Sequence, residues 1–256
     1  MPVTTVQRYA GKVVCITGSS RGIGQKLAVR FAEEGANVAV HCFRNTAGAK
    51  ETARMVEEAG QEALVVKANL TQPDRIQVMF QEIRAKFGQL DVFIHNAASS
   101  RNRQAMDLDI KGWDWTQDVN ARAFLLGAQH AAKLMKDGGA LLAISSFGSD
   151  HVFPYYTSVG ASKAALESLV RYFAVELADK RINANAISAG AVVTGELKNF
   201  PDIETTWAQM EKKLPYPRMV NADDVANLAL FLCSPEAEMI RGQSVRLDGG
   251  LTLKVP

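Results

Sequence analysis

Short runs of apolar and β-branched residues alternate along the chain with longer stretches in which apolar positions recur every three or four residues. The short runs are typical of buried strands, and the longer stretches are typical of amphipathic helices. The pattern predicts strands over residues 12–17, 36–42, 63–67, 90–95, 140–145, 181–188 and 244–247. It predicts helices over residues 23–34, 47–60, 74–87, 113–135, 158–177 and 222–233.

This regular alternation predicts an α/β fold, because apolar strands separated by helices form a parallel sheet that is covered on both faces. We expect a single doubly wound, Rossmann-type domain over residues 1–256, with a parallel sheet of about seven strands. Residues 189–220 interrupt the alternation and hold three of the eight prolines. An insertion of this length often covers a site, so residues 194–220, with a helix around 204–213, are predicted to form a substrate lid.

Composition excludes several classes of protein. The chain has 256 residues, 47% of them hydrophobic, and a net charge of +2, which argues against disorder and gives no basis for a nucleic-acid or membrane-surface partner. Cys15, Cys42 and Cys233 show no paired spacing, and the four histidines show no ligand spacing, so we expect neither a disulfide framework nor a metal site. The chain has no apolar run long enough to span a membrane, and its first residues do not resemble a signal peptide. We therefore expect a soluble cytoplasmic protein.

A glycine-rich segment, Thr17-Gly-Ser-Ser-Arg-Gly-Ile-Gly24, follows the first predicted strand and opens the first predicted helix. Glycines at such a junction let the backbone approach a pyrophosphate, which the amide groups and dipole of the helix N-terminus attract. The alternative, an ordinary glycine-rich turn, is less consistent with a β-α-β context. The predicted phosphate-binding residues are Gly18, Ser20, Arg21, Gly22, Ile23 and Gly24.

The end of the second predicted strand indicates which dinucleotide binds. NAD is usually held by an acidic residue about 20 residues after the glycines, but this chain has His-Cys-Phe-Arg-Asn over 41–45. Arg21 and Arg44 are available for a 2′-phosphate, which a guanidinium binds with two hydrogen bonds, and Asn45 lies beside them. We therefore expect NADPH rather than NADH, the alternative being that both arginines are solvated surface residues.

Together with five further segments, this loop resembles the short-chain dehydrogenase/reductases over nearly the whole chain. Those segments are His95–Ala98, Asn120, Ile144–Ser146, Ala161–Ala165 and Asp248–Gly250. The resemblance implies that the adenine lies against Asn69 and Leu70, and the ribose against Asn96, Ala97 and Ala98. It also implies that Lys163 binds the nicotinamide ribose, and that Gly190, Val192 and Thr194 contact the carboxamide.

The chain departs from the family's usual Tyr-x-x-x-Lys pattern. Counting back from Lys163, the tyrosine position is Val159, which cannot exchange a proton. Tyr156 instead stands seven residues before the lysine. Seven residues of α-helix turn by about 700° and rise about 10.5 Å, so the two side chains are predicted to share a helix face. The displaced phenol suits a displaced oxygen on the substrate, with the neighbouring Tyr155 as the alternative phenol.

Tyr-x6-Lys is the spacing of enoyl-thioester reductases within this superfamily, and the chain is most similar to bacterial enoyl-acyl-carrier-protein reductase III. Three more segments carry that similarity: Asp114–Thr116, Ala131–Met135 and Met239–Gln243. Two positions depart from the pattern: His95 replaces an asparagine, and Ala189 replaces the proline of a Pro-Gly pair.

The resemblance implies an NADPH-dependent oxidoreductase that reduces the 2,3 double bond of a trans-2-enoyl thioester in acyl-chain elongation. Tyr156 would donate to the thioester oxygen, and the charge of Lys163 would lower the pKa of that phenol. Ser146, with Ser145 as second choice, takes the family's serine position, and Asn120 would hold a bend or a water in the long helix. The alternatives are a carbonyl or 3-ketoacyl reductase of the same fold and a non-catalytic dinucleotide sensor.

Partners are also implied. The superfamily commonly forms homotetramers, and the substrate is a free or carrier-bound enoyl thioester. Basic residues in and beside the predicted lid are candidates for meeting an acidic acyl carrier protein, although such residues are often only solvated. They are Lys198, Lys212, Lys213 and Arg218.

Overall fold

A computed structural model describes residues 7–192, 212 and 214–253. Its centre is one sheet of seven parallel strands in the order β3-β2-β1-β4-β5-β6-β7. The strands are β1 Val13–Ile16, β2 Asn37–Cys42, β3 Ala63–Lys67, β4 Val92–His95, β5 Gly139–Ser146, β6 Ile182–Ala189 and β7 Ser244–Leu247. The predicted Rossmann-type α/β fold is therefore confirmed. The strand order reverses between β1 and β4, and ligands of such sheets bind at the carboxyl ends of the strands at this point.

Helices cover both faces of the sheet. They are α1 Gly22–Glu33, α2 Thr46–Glu58, α3 Pro73–Phe87, α4 Ile110–Gln117, α5 Ala123–Ala132, α6 Thr157–Glu176 and α7 Ala222–Leu232. Alternate residues of β1 point to opposite faces, so Val14 and Ile16 join one core while Val13 and Cys15 join the other. The first core includes buried residues of α1, α2 and α7, and the second includes those of α3, α5 and α6.

The single long helix predicted over 113–135 is wrong in its bounds and in its continuity. It begins earlier, at Ile110, where the Asp109 side chain accepts from the Gly112 amide, and one π-helical turn over Asp118–Arg122 separates α4 from α5. The π turn spans only five residues and has a helix on each side, so the apolar stretch was predicted as one continuous helix. The turn brings Asn120 inside, where the residue is fully buried.

Most of the predicted lid lies outside the described residues. This applies to the helix predicted around 204–213, apart from Lys212, and to Thr194 and Lys198. The described end of the segment, 214–220, is irregular and meets Val192 through a bridge at Val220. The single-domain organisation over 1–256 and the lid remain predictions. None of the helices in the described ranges is both long enough and apolar enough to cross a bilayer.

Candidate active site

A cavity of about 920 Å³ opens at the carboxyl ends of the strands, where the strand order reverses. Most of the residues predicted from the sequence line it: Gly18, Ser20, Arg21, Gly22, Ile23, Arg44, Asn45, Asn69, Leu70, Asn96, Ala97, Ala98, Ser146, Tyr156, Lys163, Gly190 and Val192. Gly24 and Asn120 lie behind this surface, and Thr194 is outside the described residues. The fold thus brings residues from both halves of the chain to one cavity.

The glycines of the β1–α1 turn are required by its geometry. Gly18 has a φ of +67°, and a Cβ there would lie 2.9 Å from the Cα of Ala97. A Cβ on Gly24 would lie 2.4 Å from the carbonyl oxygen of Gly18. The close packing at these two glycines lets the start of α1, at Gly22 and Ile23, line the cavity. This cradle fits the pyrophosphate of a dinucleotide.

Arg44 and Asn45 lie at the mouth of the cavity, beside the phosphate turn. The Arg44 guanidinium carbon is 5.0 Å from the centroid of the Phe43 ring, and the arginine is exposed. Asn45 caps α2 by accepting from the Gly48 amide at 3.0 Å. The Asn45 cap and the Phe43 ring lie on either side of Arg44 in the chain and hold its backbone in place. Arg21 lines the same cavity, so this wall is positively charged.

Sequence reasoning missed two aromatic lining residues. Trp115 lines the cavity, and its Nε1 donates to the Ser99 hydroxyl at 2.7 Å. Its ring centroid is 6.5 Å from that of Phe43, which comes from the end of β2. The helical spacing of Trp115 does not distinguish a residue that lines a cavity from one that packs against a neighbouring helix. The contact between Trp115 and Phe43 therefore becomes visible only in the folded structure.

Tyr156 faces the cavity from the start of α6 and not from within a regular helix. It is the N-cap residue, and the chain reaches it through Tyr155, whose φ of +62° is in the left-handed region. The predicted seven-residue helical register therefore does not hold, since only Lys163 lies inside α6. The Tyr156 hydroxyl nevertheless meets Ser146, donating to its Oγ at 3.3 Å. Tyr155 does not line the cavity.

The two candidate serines of β5 have different partners. Ser145 donates a short hydrogen bond to Glu167, whereas Ser146 faces Tyr156 and accepts from the Gly148 amide at 3.2 Å. Ser145 is therefore committed to a carboxylate, which favours Ser146 as the serine of the site. Glu167 was not singled out from the sequence, although its position four residues after Lys163 puts both on one helix face.

Lys163 is buried, with 4% of its surface exposed, and its Nζ donates to the carbonyl oxygen of Ile144 at 2.7 Å. Burial lowers its pKa to about 8, and the charge of Glu167 opposes that shift. The pKa of Tyr156 is raised by burial, and the Ser146 hydrogen bond opposes the rise. That the charge of Lys163 lowers the pKa of the phenol stays a prediction; its ammonium donates to the β5 backbone.

Asn120 joins three segments around the site. Its Nδ2 donates to the Ser162 hydroxyl at 2.8 Å and to the Ser99 carbonyl at 3.0 Å, while its Oδ1 accepts from the Ser99 amide at 2.8 Å. The side chain thus ties the π turn to α6 and to the chain that follows β4. Val159, at the family's usual tyrosine position, is buried with 3% of its surface exposed.

Comparison with known proteins agrees with this geometry. A family model described as enoyl-(acyl carrier protein) reductase matches residues 18–252. The chain is 38% identical to 1-cyclohexenylcarbonyl-CoA reductase of Streptomyces collinus, over 96% of this chain and 88% of that protein. It is 33% identical to 3-oxoacyl-[acyl-carrier-protein] reductase FabG of Staphylococcus aureus, over 94% and 98%.

A solved structure of a putative short-chain alcohol dehydrogenase from Sinorhizobium meliloti superposes with a TM-score of 0.92. It is 31% identical, and the superposition covers 98% of this chain and all of that one. The fold agrees with that of this solved structure. The chain therefore belongs to the short-chain dehydrogenase/reductase family, a family of oxidoreductases that bind a nicotinamide dinucleotide.

Proposed function

We propose that this protein uses NADPH to reduce the 2,3 double bond of a trans-2-enoyl thioester. One observation carries the proposal: the phenol that faces Ser146 in the cavity belongs to Tyr156, while the usual tyrosine position holds the buried Val159. A donor displaced from its usual place suits an oxygen three bonds away from the carbon that receives hydride. That arrangement is found in an enoyl thioester and not in a ketone. The similarity to a reductase named for an unsaturated CoA thioester supports the same reading.

NADPH, when bound, supplies the hydride that the β-carbon of the enoyl thioester receives. Negative charge then develops on the thioester oxygen, which becomes that of an enolate. Tyr156 then donates its single proton to this oxygen instead of to Ser146, and the Ser146 hydroxyl donates to the phenol oxygen and keeps it in place. The raised pKa of Tyr156 keeps the phenol protonated and able to donate at neutral pH. Protonation of the α-carbon completes the reaction.

Lys163 and Asn120 complete the arrangement. The Lys163 Nζ lies beside the end of β5, where it can bind the hydroxyls of the nicotinamide ribose. Glu167 keeps this buried ammonium charged, since the attraction of the carboxylate opposes the desolvation that lowers the lysine pKa. Asn120 positions Ser99 and the start of α6 and does not line the cavity.

Reduction of different acyl thioesters tests the reaction. We expect the protein to oxidise NADPH with crotonyl thioester and to leave acetoacetyl thioester unreduced. Each substrate should be offered as its coenzyme A and its carrier-protein ester, because the carrier is not fixed by the residues of the cavity. Reduction of acetoacetyl thioester alone would refute the enoyl proposal and establish a 3-ketoacyl reductase. NADPH binding without turnover of either substrate would indicate a dinucleotide sensor.

The ketoreductase remains a second candidate for a specific reason. Ser146 and Tyr156 are in hydrogen-bond contact, and such a pair can also polarise a ketone oxygen. The similarity to FabG, named as a 3-oxoacyl reductase, is consistent with it. The position of the phenol, which replaces the usual one at Val159, favours the enoyl reaction over this candidate.

The choice of NADPH gives a separate prediction. The second strand ends without an acidic residue, and Arg21 and Arg44 both line the cavity. A guanidinium bound to the 2′-phosphate is worth about 1.5–3 kcal/mol, so Arg44→Ala should weaken NADPH binding by roughly tenfold or more. Binding of NADH, which lacks that phosphate, should change by less than about threefold. Isothermal titration of the wild type and the variant with both nucleotides measures this. Equal losses for the two nucleotides would mean that Arg44 does not contact the 2′-phosphate.

We also propose that the protein is a cytoplasmic homotetramer whose substrate is carried by coenzyme A or an acyl carrier protein. Of the basic residues considered for carrier docking, Lys212 is exposed. Arg218 is held in a two-bond ion pair by Asp224 and is therefore less available to a carrier. Lys198 and Lys213 are outside the described residues.

A further inference from the structure

His41, at the carboxyl end of β2, is buried beneath the phosphate turn with 2% of its surface exposed. Its Nδ1 lies 3.0 Å from the Gly18 amide nitrogen, and its Nε2 lies 3.1 Å from the carbonyl oxygen of Ala68. Its main chain adds two hydrogen bonds with Ser19, one to the amide and one to the hydroxyl. The imidazole therefore connects the phosphate turn to the chain that precedes Asn69 and Leu70.

The two partners of the ring determine its tautomer. A backbone amide can only donate, so Nδ1 must accept from Gly18 and carries no proton. The single proton of the neutral imidazole is on Nε2, where it is donated to Ala68. Burial lowers the pKa of His41 to about 4, which keeps the ring neutral at physiological pH. The Ala68 carbonyl thus holds the tautomer in which Nδ1 can accept.

Gly18 is held at both ends by side chains. Its amide donates to His41, and its carbonyl oxygen accepts from the Asn96 Nδ2 at 3.1 Å. The φ of +67° at Gly18 places this residue where the chain turns from β1 toward α1. The orientation of this peptide decides where the following amides of the turn point, and those amides form the pyrophosphate cradle.

We propose that His41 is a cofactor-positioning residue: as an acceptor locked by Ala68, it fixes the Gly18 peptide and so preorganises the phosphate turn for the dinucleotide. His41 does not touch the pyrophosphate itself through these atoms, since both ring nitrogens are committed to the backbone. Its effect is on affinity for the nucleotide, and the inference rests on dinucleotide binding but not on the enoyl reaction.

A matched pair of substitutions tests this inference. In His41→Asn the side-chain oxygen takes the place of Nδ1 and can still accept from Gly18, while contact with Ala68 is lost. In His41→Gln the side-chain nitrogen takes the place of Nε2 and can still donate to Ala68, while the acceptor near Gly18 is lost. Each variant removes one buried hydrogen bond, so a merely structural role predicts similar losses of melting temperature and of NADPH affinity in both.

We expect the NADPH dissociation constant to rise less than threefold in His41→Asn and at least tenfold in His41→Gln, at temperatures where both are folded. Equal dissociation constants in the two variants, or a larger rise in His41→Asn, would overturn the inference. Nitrogen-15 NMR of histidine-labelled wild-type protein provides a test that needs no variant. A proton on Nε2 of His41 is expected, and a proton on Nδ1 would overturn the inference. Because binding is measured without turnover, failure of the enoyl reaction would leave these results interpretable.

Discussion

Replacing Tyr156 by phenylalanine is expected to lower kcat for crotonyl thioester by roughly 10²–10³-fold. The substitution keeps the ring that packs near Phe153 and Gly148 and removes only the hydroxyl that faces Ser146. Loss of one preorganised donor to a developing oxyanion costs about 2.7–4 kcal/mol of transition-state stabilisation. The dissociation constant for NADPH should stay within about threefold of the wild-type value, since the phenol acts on the acyl substrate. Steady-state kinetics and nucleotide titration measure the two quantities.

Tyr155→Phe is the matched control. Tyr155 does not line the cavity, so its hydroxyl should be dispensable and kcat should change by less than about threefold. If both variants retain activity, neither phenol is the donor and the proposed mechanism is wrong. If Tyr155→Phe is the inactive variant, the alternative phenol considered from the sequence is the correct one.

The fold could be predicted almost completely from apolar periodicity, because buried strands and amphipathic helices leave different spacings. Strand β3 at Ala63–Lys67 and strand β7 at Ser244–Leu247 agree with the predicted bounds, and the other strands differ by one or two residues at their ends. The π turn over Asp118–Arg122 escaped prediction, since a five-residue segment is too short to be distinguished by its apolar positions from the helices on both sides.

For the candidate site, the sequence predicted which residues line the cavity better than it predicted their contacts. Short motifs located most of the cavity-lining residues, because the glycine turn and the segments around Asn96, Ser146 and Lys163 each follow a strand or lie in a helix that faces the cavity. Contacts between distant segments could not be predicted. The Glu167–Ser145 hydrogen bond joins a helix to a strand, and the Trp115–Phe43 contact joins α4 to the residue that follows β2. Neither pair leaves a signal at a fixed spacing.

Tyr156 shows why spacing alone is an uncertain guide to geometry. A seven-residue separation from Lys163 predicts a shared helix face. Helix α6, however, begins only at Thr157, with Tyr156 as its N-cap residue and Tyr155 in the left-handed region before it. The phenol still reaches Ser146, because the turn through Phe153–Tyr155 carries it over Gly148, where a Cβ would lie 2.5 Å from the ring. Tyr156 and Lys163 thus line the same cavity, although they do not share the face of one regular helix.

The free energy of unfolding is expected to fall steeply when the pH drops from 6.5 to 4.5, because His41 and His95 are buried in their neutral form. Burial lowers the pKa of His41 to about 4 and that of His95 to about 3, both from an ordinary value of 6.5. Between those values the unfolded chain binds protons that the folded chain does not. The stabilisation is therefore fully present above pH 6.5 and is lost as the pH falls. Each histidine contributes a slope of roughly 1 kcal/mol per pH unit within this window.

The contacts of the two rings explain why protonation is incompatible with the fold. The Thr17 hydroxyl already accepts from the amides of Asn96 and Ala97, so its proton goes to the His95 Nδ1 at 3.2 Å. Nδ1 of His41 likewise accepts, from Gly18. A proton on either Nδ1 would place donor against donor in the interior, and the charge of Lys163 further disfavours a charged His95.

Urea unfolding at a series of pH values measures this slope, and His95→Asn supplies the comparison. Asparagine keeps an acceptor near Thr17 but does not titrate, so the variant should be less stable at pH 7 and show a shallower loss between pH 6.5 and 4.5. The window lies above the ordinary pKa of aspartate, and the carboxylates whose pKa is lowered by ion pairs, such as Glu34 and Asp224, titrate below it. Stability that is flat across the window in the wild type would show that neither ring is buried in its neutral form, and an identical slope in the variant would show this for His95.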